Sequence, residues 1–147
     1  IVQPILVKNY NSGNVKEYRK TMLKSGTYLL IMFIGFFIAV LIIKDYLIKD
    51  YLGFKLDVFD QLNSIIVPLS ISAFFWQVAI LLQKDIENKN KTLVMTIFII
   101  ITVIISSITN LIFIPIYGYV ASAYILLLSS IIYLILIYSF TIKLKAR

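Results

Sequence analysis

Four stretches of apolar residues alternate with charged connections along the chain. Each stretch is 18 to 23 residues long and contains no Asp, Glu, Lys or Arg. A helix of about 20 apolar residues spans the roughly 30 Å hydrocarbon core of a bilayer. The pattern therefore predicts an all-α polytopic membrane protein with four transmembrane helices, at residues 26–43, 62–82, 92–114 and 119–140.

The last two helices lie within one uncharged run of 51 residues, Thr92 to Ile142. As a single helix this run would be about 75 Å long, more than twice the thickness of the hydrocarbon core. It must therefore cross the membrane twice. Pro115 lacks the N–H that continues a helix, and Gly118 can adopt the positive φ of a tight reversal. We expect the third helix to end at Ile114 and the turn to occupy residues 115–118.

Composition supports the membrane interpretation and narrows the chemistry. The chain is 61% hydrophobic and 14% charged, with a mean hydropathy of +0.95, so lipid must solvate much of its surface. Cys and His are both absent, which removes thiolate and imidazole metal ligands and the usual general base. We expect no enzyme activity, no cofactor and no metal site. The four stretches also lack the carboxylate that a small proton-coupled multidrug pump requires.

Eleven of the 14 basic residues fall in connections that lie on one side of the membrane if each stretch crosses it. The positive-inside rule places that side, with both ends of this chain, in the cytoplasm. The net charge of +7 is spread over separate segments that adjoin membrane lipids, so we expect no nucleic-acid binding.

The chain divides into three regions. Residues 1–25 are interpreted as the end of a preceding helix and a basic cytoplasmic segment, with an amphipathic helix from Val15 to Lys24. Residues 26–142 form the four-helix membrane region, and residues 143–147 form a basic cytoplasmic tail. Because the sequence starts at Ile1, we expect it to be part of a longer protein with further helices upstream.

The connection 44–61 combines charged residues with Tyr46 and Tyr51. Aromatic side chains of this kind are enriched where a helix meets the lipid headgroups. Interfacial anchoring and sugar binding are both compatible with this pattern.

Polar residues form a stripe on each of two predicted helices. Asn63, Ser70 and Gln77 follow one another at seven-residue steps, while Ser106 and Asn110 lie one turn apart on the next helix. Polar stripes in membrane helices face protein or water rather than lipid. Hydrogen bonding between helices and the lining of a hydrophilic cavity both explain the stripes. The cavity-lining candidates are Asn63, Ser70, Gln77, Ser106 and Asn110.

Three further features carry packing expectations. Gly35 and Ala39 are small residues of the kind that permit close helix approach. Pro68 lies inside the second helix and is expected to bend it. Trp76 lies near the middle of the membrane, where it can fill the core or stack against a ligand.

The segment from Thr109 to Ala123 resembles a signature of the polysaccharide transporters in the multidrug/oligosaccharidyl-lipid/polysaccharide exporter superfamily. The similarity rests on Asn110, Ile114, Pro115 and Gly118. The chain departs from the family at Ala121 and Ser122, where Gly followed by Ala is common. The resemblance implies that Asn110, Pro115 and Gly118 shape the hairpin rather than contact the substrate.

The resemblance also implies a fold and a function. The fold would be the last four helices of a MATE-like bundle of about twelve, arranged in two lobes around a central cavity. The activity would be the flipping of an undecaprenyl-diphosphate-linked oligosaccharide across the bacterial inner membrane by alternating access. Two alternatives stay open: an exporter of the multidrug and toxin extrusion type, and a stand-alone four-helix membrane scaffold subunit.

Overall fold

The computed structural model describes residues 12–46 and 56–145 and confirms an all-α architecture. Four helices account for nearly all of these residues: α1 Val15–Tyr46, α2 Leu56–Glu87, α3 Thr92–Tyr117 and α4 Tyr119–Lys145. Each is long and apolar enough to cross a membrane. The expected preceding helix at the start of the chain and most of the connection 44–61, including Tyr51, lie outside the described residues.

All four helices extend beyond the predicted bounds; α3, which ends at Tyr117, is described below with the turn. α1 starts at Val15 and joins the basic amphipathic segment to the first membrane helix without a break. α2 covers 56–87 instead of 62–82, and α4 continues past residue 140 to Lys145. The end of an apolar stretch marks where a helix leaves the hydrocarbon core, not where the helix ends. Lys, Glu and Gln are good helix formers, so a helix can continue through them outside the membrane. The sequence pattern therefore located the crossings but not the ends of these helices.

The helices are arranged side by side in the order α1, α2, α4, α3. Tyr18 of α1 contacts Asp85 of α2, and Phe33 contacts Phe74, so these two helices are antiparallel. α2 and α4 run parallel and form the most extensive interface. We call the end where α1 begins, α2 ends, α3 begins and α4 ends the basic end of the bundle.

The core lies between α2 and α4. Ala79 and Ile86 of α2 are fully buried against Tyr133 and Ile137 of α4. Trp76 packs on this cluster, with its ring centroid 4.7 Å from that of Tyr133. Trp76 is thus a core-filling residue, one of the two roles expected for it.

Among the described residues, α1 is attached to the bundle only through α2. Gly26 lies beside α2: a Cβ added there would lie 3.6 Å from the Leu81 side chain, which is an ordinary van der Waals contact. The expectation that Gly35 and Ala39 mark a close approach is wrong for the described residues, since both are exposed and Gly35 has open space around it. A small residue allows close packing, but a neighbouring helix at the same level must supply it.

The turn between α3 and α4 is shorter than expected. α3 continues through Pro115 to Tyr117, three residues past the predicted end, and Gly118 alone separates the helices. Gly118 has φ 69° and ψ −164°, a region that is essentially restricted to glycine. Its N–H donates a hydrogen bond of 2.8 Å to the carbonyl oxygen of Ile114. Gly118, rather than Pro115, therefore ends α3. Pro68 does not end its helix either, because α2 continues through it.

We expect Gly118→Ala to destabilise the full-length protein by about 1–3 kcal/mol, because alanine must adopt a backbone conformation that its Cβ disfavours. Gly35→Ala is the matched control: both glycines have open space around them, but only Gly118 has a positive φ. The free energy of unfolding in detergent micelles measures the difference. Equal stability of the two variants would contradict this account of the turn.

Candidate functional site

A groove separates α1 from α2 over much of their length. We call it the α1–α2 groove; its volume is about 610 Å³ and it is open on one side. Most of its wall is apolar, with Leu29, Met32, Phe33 and Phe36 on α1 and Phe74 and Leu81 on α2. The stacked rings of Phe33 and Phe74, 4.4 Å between centroids, close its floor.

Two of the predicted cavity-lining residues, Ser70 and Gln77, lie on the α2 wall of this groove. Gln77 is exposed and Ser70 is half-buried. Neither side chain forms a hydrogen bond with any residue in the described part of the chain. Lys84 continues the same stripe at the basic end, where its ammonium contacts the carboxylate of Glu87. The side chain of Asn63, the remaining candidate on α2, is outside the described residues.

The other two candidates lie elsewhere. Ser106 and Asn110 line a separate groove of about 500 Å³ between α3, α4 and the start of the described part of α2. The Asn110 amide donates to the Ser106 carbonyl oxygen at 2.9 Å, and its own oxygen accepts from the Ser122 hydroxyl at 3.2 Å. Asn110 therefore braces the hairpin across the two helices. The candidates do not converge on one cavity.

Two further polar residues of α3, Thr102 and Thr109, are satisfied within the helix. The hydroxyl of Thr102 donates to the carbonyl oxygen of Phe98 at 2.8 Å, and that of Thr109 donates to Ile105 at 2.7 Å. Such bonds remove the cost of placing a hydroxyl in hydrocarbon. These two threonines therefore need neither a cavity nor a partner helix.

Polar contacts that the sequence does not predict join α2 to α4. The Gln83 amide donates to the Tyr133 hydroxyl in the buried core, and the Ser72 hydroxyl donates to the Leu126 carbonyl oxygen at 3.2 Å. Gln83 lies one residue beyond the predicted end of the second helix, because the apolar run stops at Leu82. Ser72 carries no signal that distinguishes it from Ser70 in the sequence alone.

A second unpredicted contact holds the start of α1 to the end of α2. The hydroxyl of Tyr18, which is buried, donates to a carboxylate oxygen of Asp85 at 2.6 Å. Asn88 donates to the same hydroxyl at 3.3 Å. Polar contacts at the basic end thus fix the start of α1 against the end of α2.

Neither the geometry nor the comparisons assign a reaction to this arrangement. No group of three or more Asp or Glu residues that could hold a metal ion occurs in residues 12–46 and 56–145. Comparison with protein-family models, with curated proteins and with solved structures found no match to this chain.

We expect Tyr133→Phe to destabilise the full-length protein by about 1–3 kcal/mol, because it leaves the buried Gln83 amide without its acceptor. Tyr138→Phe removes the same hydroxyl from an exposed position of α4 and should change the free energy of unfolding little. Reversible unfolding in mixed micelles provides the comparison. If Tyr138→Phe lowered the free energy of unfolding as much as Tyr133→Phe, the result would contradict a stabilising hydrogen bond between Gln83 and Tyr133.

Proposed function

We propose that the chain belongs to a membrane transporter and that the α1–α2 groove forms part of the wall of its translocation cavity. The observation that carries this proposal is Gln77. It lies near the middle of the 24-residue span Ser64–Glu87, exposed and with no hydrogen-bond partner among the described residues.

An amide in that position cannot face lipid without a large cost. Transfer of an unpaired amide from water to a hydrocarbon environment costs roughly 4–8 kcal/mol. Water, a polar ligand or another protein segment must therefore cover Gln77. The half-buried hydroxyl of Ser70, on the same wall, extends the polar surface along the helix axis. A hydrated cavity satisfies both side chains without requiring a dedicated partner for each.

The proposed cargo is an undecaprenyl-diphosphate-linked oligosaccharide, moved across the bacterial inner membrane by alternating access. The resemblance around Asn110, Pro115 and Gly118 supports this choice of substrate class. The groove supports it too, because hydroxyl and amide groups suit a sugar while the phenylalanine walls suit an isoprenoid chain. In this proposal the basic end is cytoplasmic, and helices upstream of this chain supply the rest of the cavity.

The access of water to Gln77 is the first test. The chain contains no cysteine, so Gln77→Cys can be placed in a full-length protein freed of other cysteines. A membrane-impermeant maleimide should label it, because the reaction requires the thiolate, which forms in water. Val103→Cys, exposed at a similar depth of α3, is the control and should remain unlabelled in lipid.

The labelling result separates the proposal from its main alternative. If neither cysteine reacts in membranes, protein or lipid covers Gln77 and the cavity proposal fails. A stand-alone scaffold subunit, with a second protein packed on the α1–α2 groove, predicts that outcome.

Transport itself is the second test. Gln77→Leu should lower the flipping rate about threefold to tenfold, the equivalent of one lost hydrogen bond. The measurement is the accumulation of lipid-linked oligosaccharide on the cytoplasmic face in a strain that lacks the wild-type protein. Val103→Leu, at equal protein level, should leave the rate unchanged. Unaltered transport by the Gln77 variant would argue against this groove as the route.

A further inference from the structure

The first three turns of α1 carry a concentrated positive charge. Lys16, Arg19, Lys20 and Lys24 are all exposed and lie on one side of the helix, within about 12 Å along its axis. Tyr18, on the opposite side, contacts α2. The cluster therefore projects away from the rest of the bundle.

These cations differ from the basic residues at the end of α2 and the start of α3, which are engaged within the protein. Lys84 pairs with Glu87, Lys89 donates to the carbonyl oxygen of Leu144, and the Lys91 ammonium lies 5.9 Å from the centre of the Phe140 ring.

Lys16, Arg19 and Lys24 have no such partner in the part of the chain that the structure describes. Lys20 meets only the exposed carboxylate of Glu17, at 3.6 Å. A positive charge of this density without an internal counter-charge is available to an external anion.

The same side of α1 continues into the membrane as an apolar surface. Steps of three and four residues lead from Leu23 and Thr27 to the exposed side chains of Leu30, Ile34, Ile38 and Leu41. The surface is thus basic for three turns and apolar for the following four. A phospholipid has the same order, with a charged phosphate followed by hydrocarbon chains.

We propose that the outer face of α1 is a binding site for an anionic phospholipid of the leaflet at the basic end. Its phosphate lies among Lys16, Arg19 and Lys24, and its acyl chains lie along Leu30, Ile34 and Ile38. A helix packed on this face would cover three cations that lack partners, at a cost in desolvation. A soluble anion would not use the apolar continuation. Clusters of Lys and Arg next to a membrane helix recognise acidic lipids in this way.

The test uses the full-length protein in nanodiscs of equimolar phosphatidylcholine and phosphatidylglycerol. Native mass spectrometry, after gentle detergent release, measures the ratio of phosphatidylglycerol to phosphatidylcholine that remains bound. The combined change Lys16→Gln, Arg19→Gln and Lys24→Gln should lower this ratio about a hundredfold, because each of the three basic groups near a membrane surface contributes an attraction equal to roughly a fivefold change in affinity.

The matched control is the combined change Lys89→Gln, Lys91→Gln and Lys143→Gln, which removes the same charge from the same end of the bundle and should leave the ratio within about twofold of wild type. Equal loss in both variants would mean non-specific attraction and would overturn the site, as would no loss in either. A charge-conserving variant, Lys16→Arg with Arg19→Lys and Lys24→Arg, should keep the bound lipid. Its failure to do so at normal protein yield would also overturn the proposal.

Discussion

The hydrocarbon core of a membrane offers no hydrogen-bond partner to a polar side chain, and this constraint organises the bundle. Several described polar groups meet it in one of three ways, although the buried Thr141 hydroxyl has no hydrogen-bond partner among the described residues. Thr102 and Thr109 bond to their own helix, whereas Gln83 and Asn110 bond across to α4. Gln77 does neither and lies exposed on the wall of the α1–α2 groove. The hydrogen-bond partner of its amide must come from outside the described residues. Among the described polar residues, Gln77 therefore says most about what covers the groove.

The parallel arrangement of α2 and α4 explains the position of α3. Two parallel helices in a membrane need a third crossing to connect them, and α3 provides it. The turn at Gly118 leaves no free residues besides the glycine itself, so α3 must lie directly against α4. Asn110 and Ser122 then bond near this turn, and the rings of Phe98 and Phe140 meet near the basic end. α1 is outside this arrangement, and of the described helices it contacts α2 alone.

The sequence is sufficient to predict the crossings, because bilayer thickness sets the length of each apolar stretch. It also predicts the reversal at Gly118, because the positive φ of a tight turn favours glycine. It is not sufficient to assign partners to polar side chains. Gln77 and Gln83 are six residues apart on one helix, yet one is exposed and the other is buried against Tyr133. Ser70 and Ser72 also differ: Ser70 is half-buried with no hydrogen bond among the described residues, whereas Ser72 is buried and bonds to Leu126. Which face of α2 is covered depends on the position of α4, and no residue of α2 encodes that position. The resemblance to polysaccharide transporters remains a prediction.

The two sides of α1 face different surroundings. One side carries the apolar half of the α1–α2 groove and is held to α2 at Tyr18 near the basic end and at Phe33 deeper in the membrane. The other side is free of protein contacts within the described chain, with Ile34 and Ile38 about half exposed. Because so little surface joins α1 to α2, the width of the groove depends on few interactions. A lipid held by the basic residues of α1 would add a restraint at the basic end, where Tyr18 already holds α1 to α2. The width of the groove would then vary more at its far end than at its basic end.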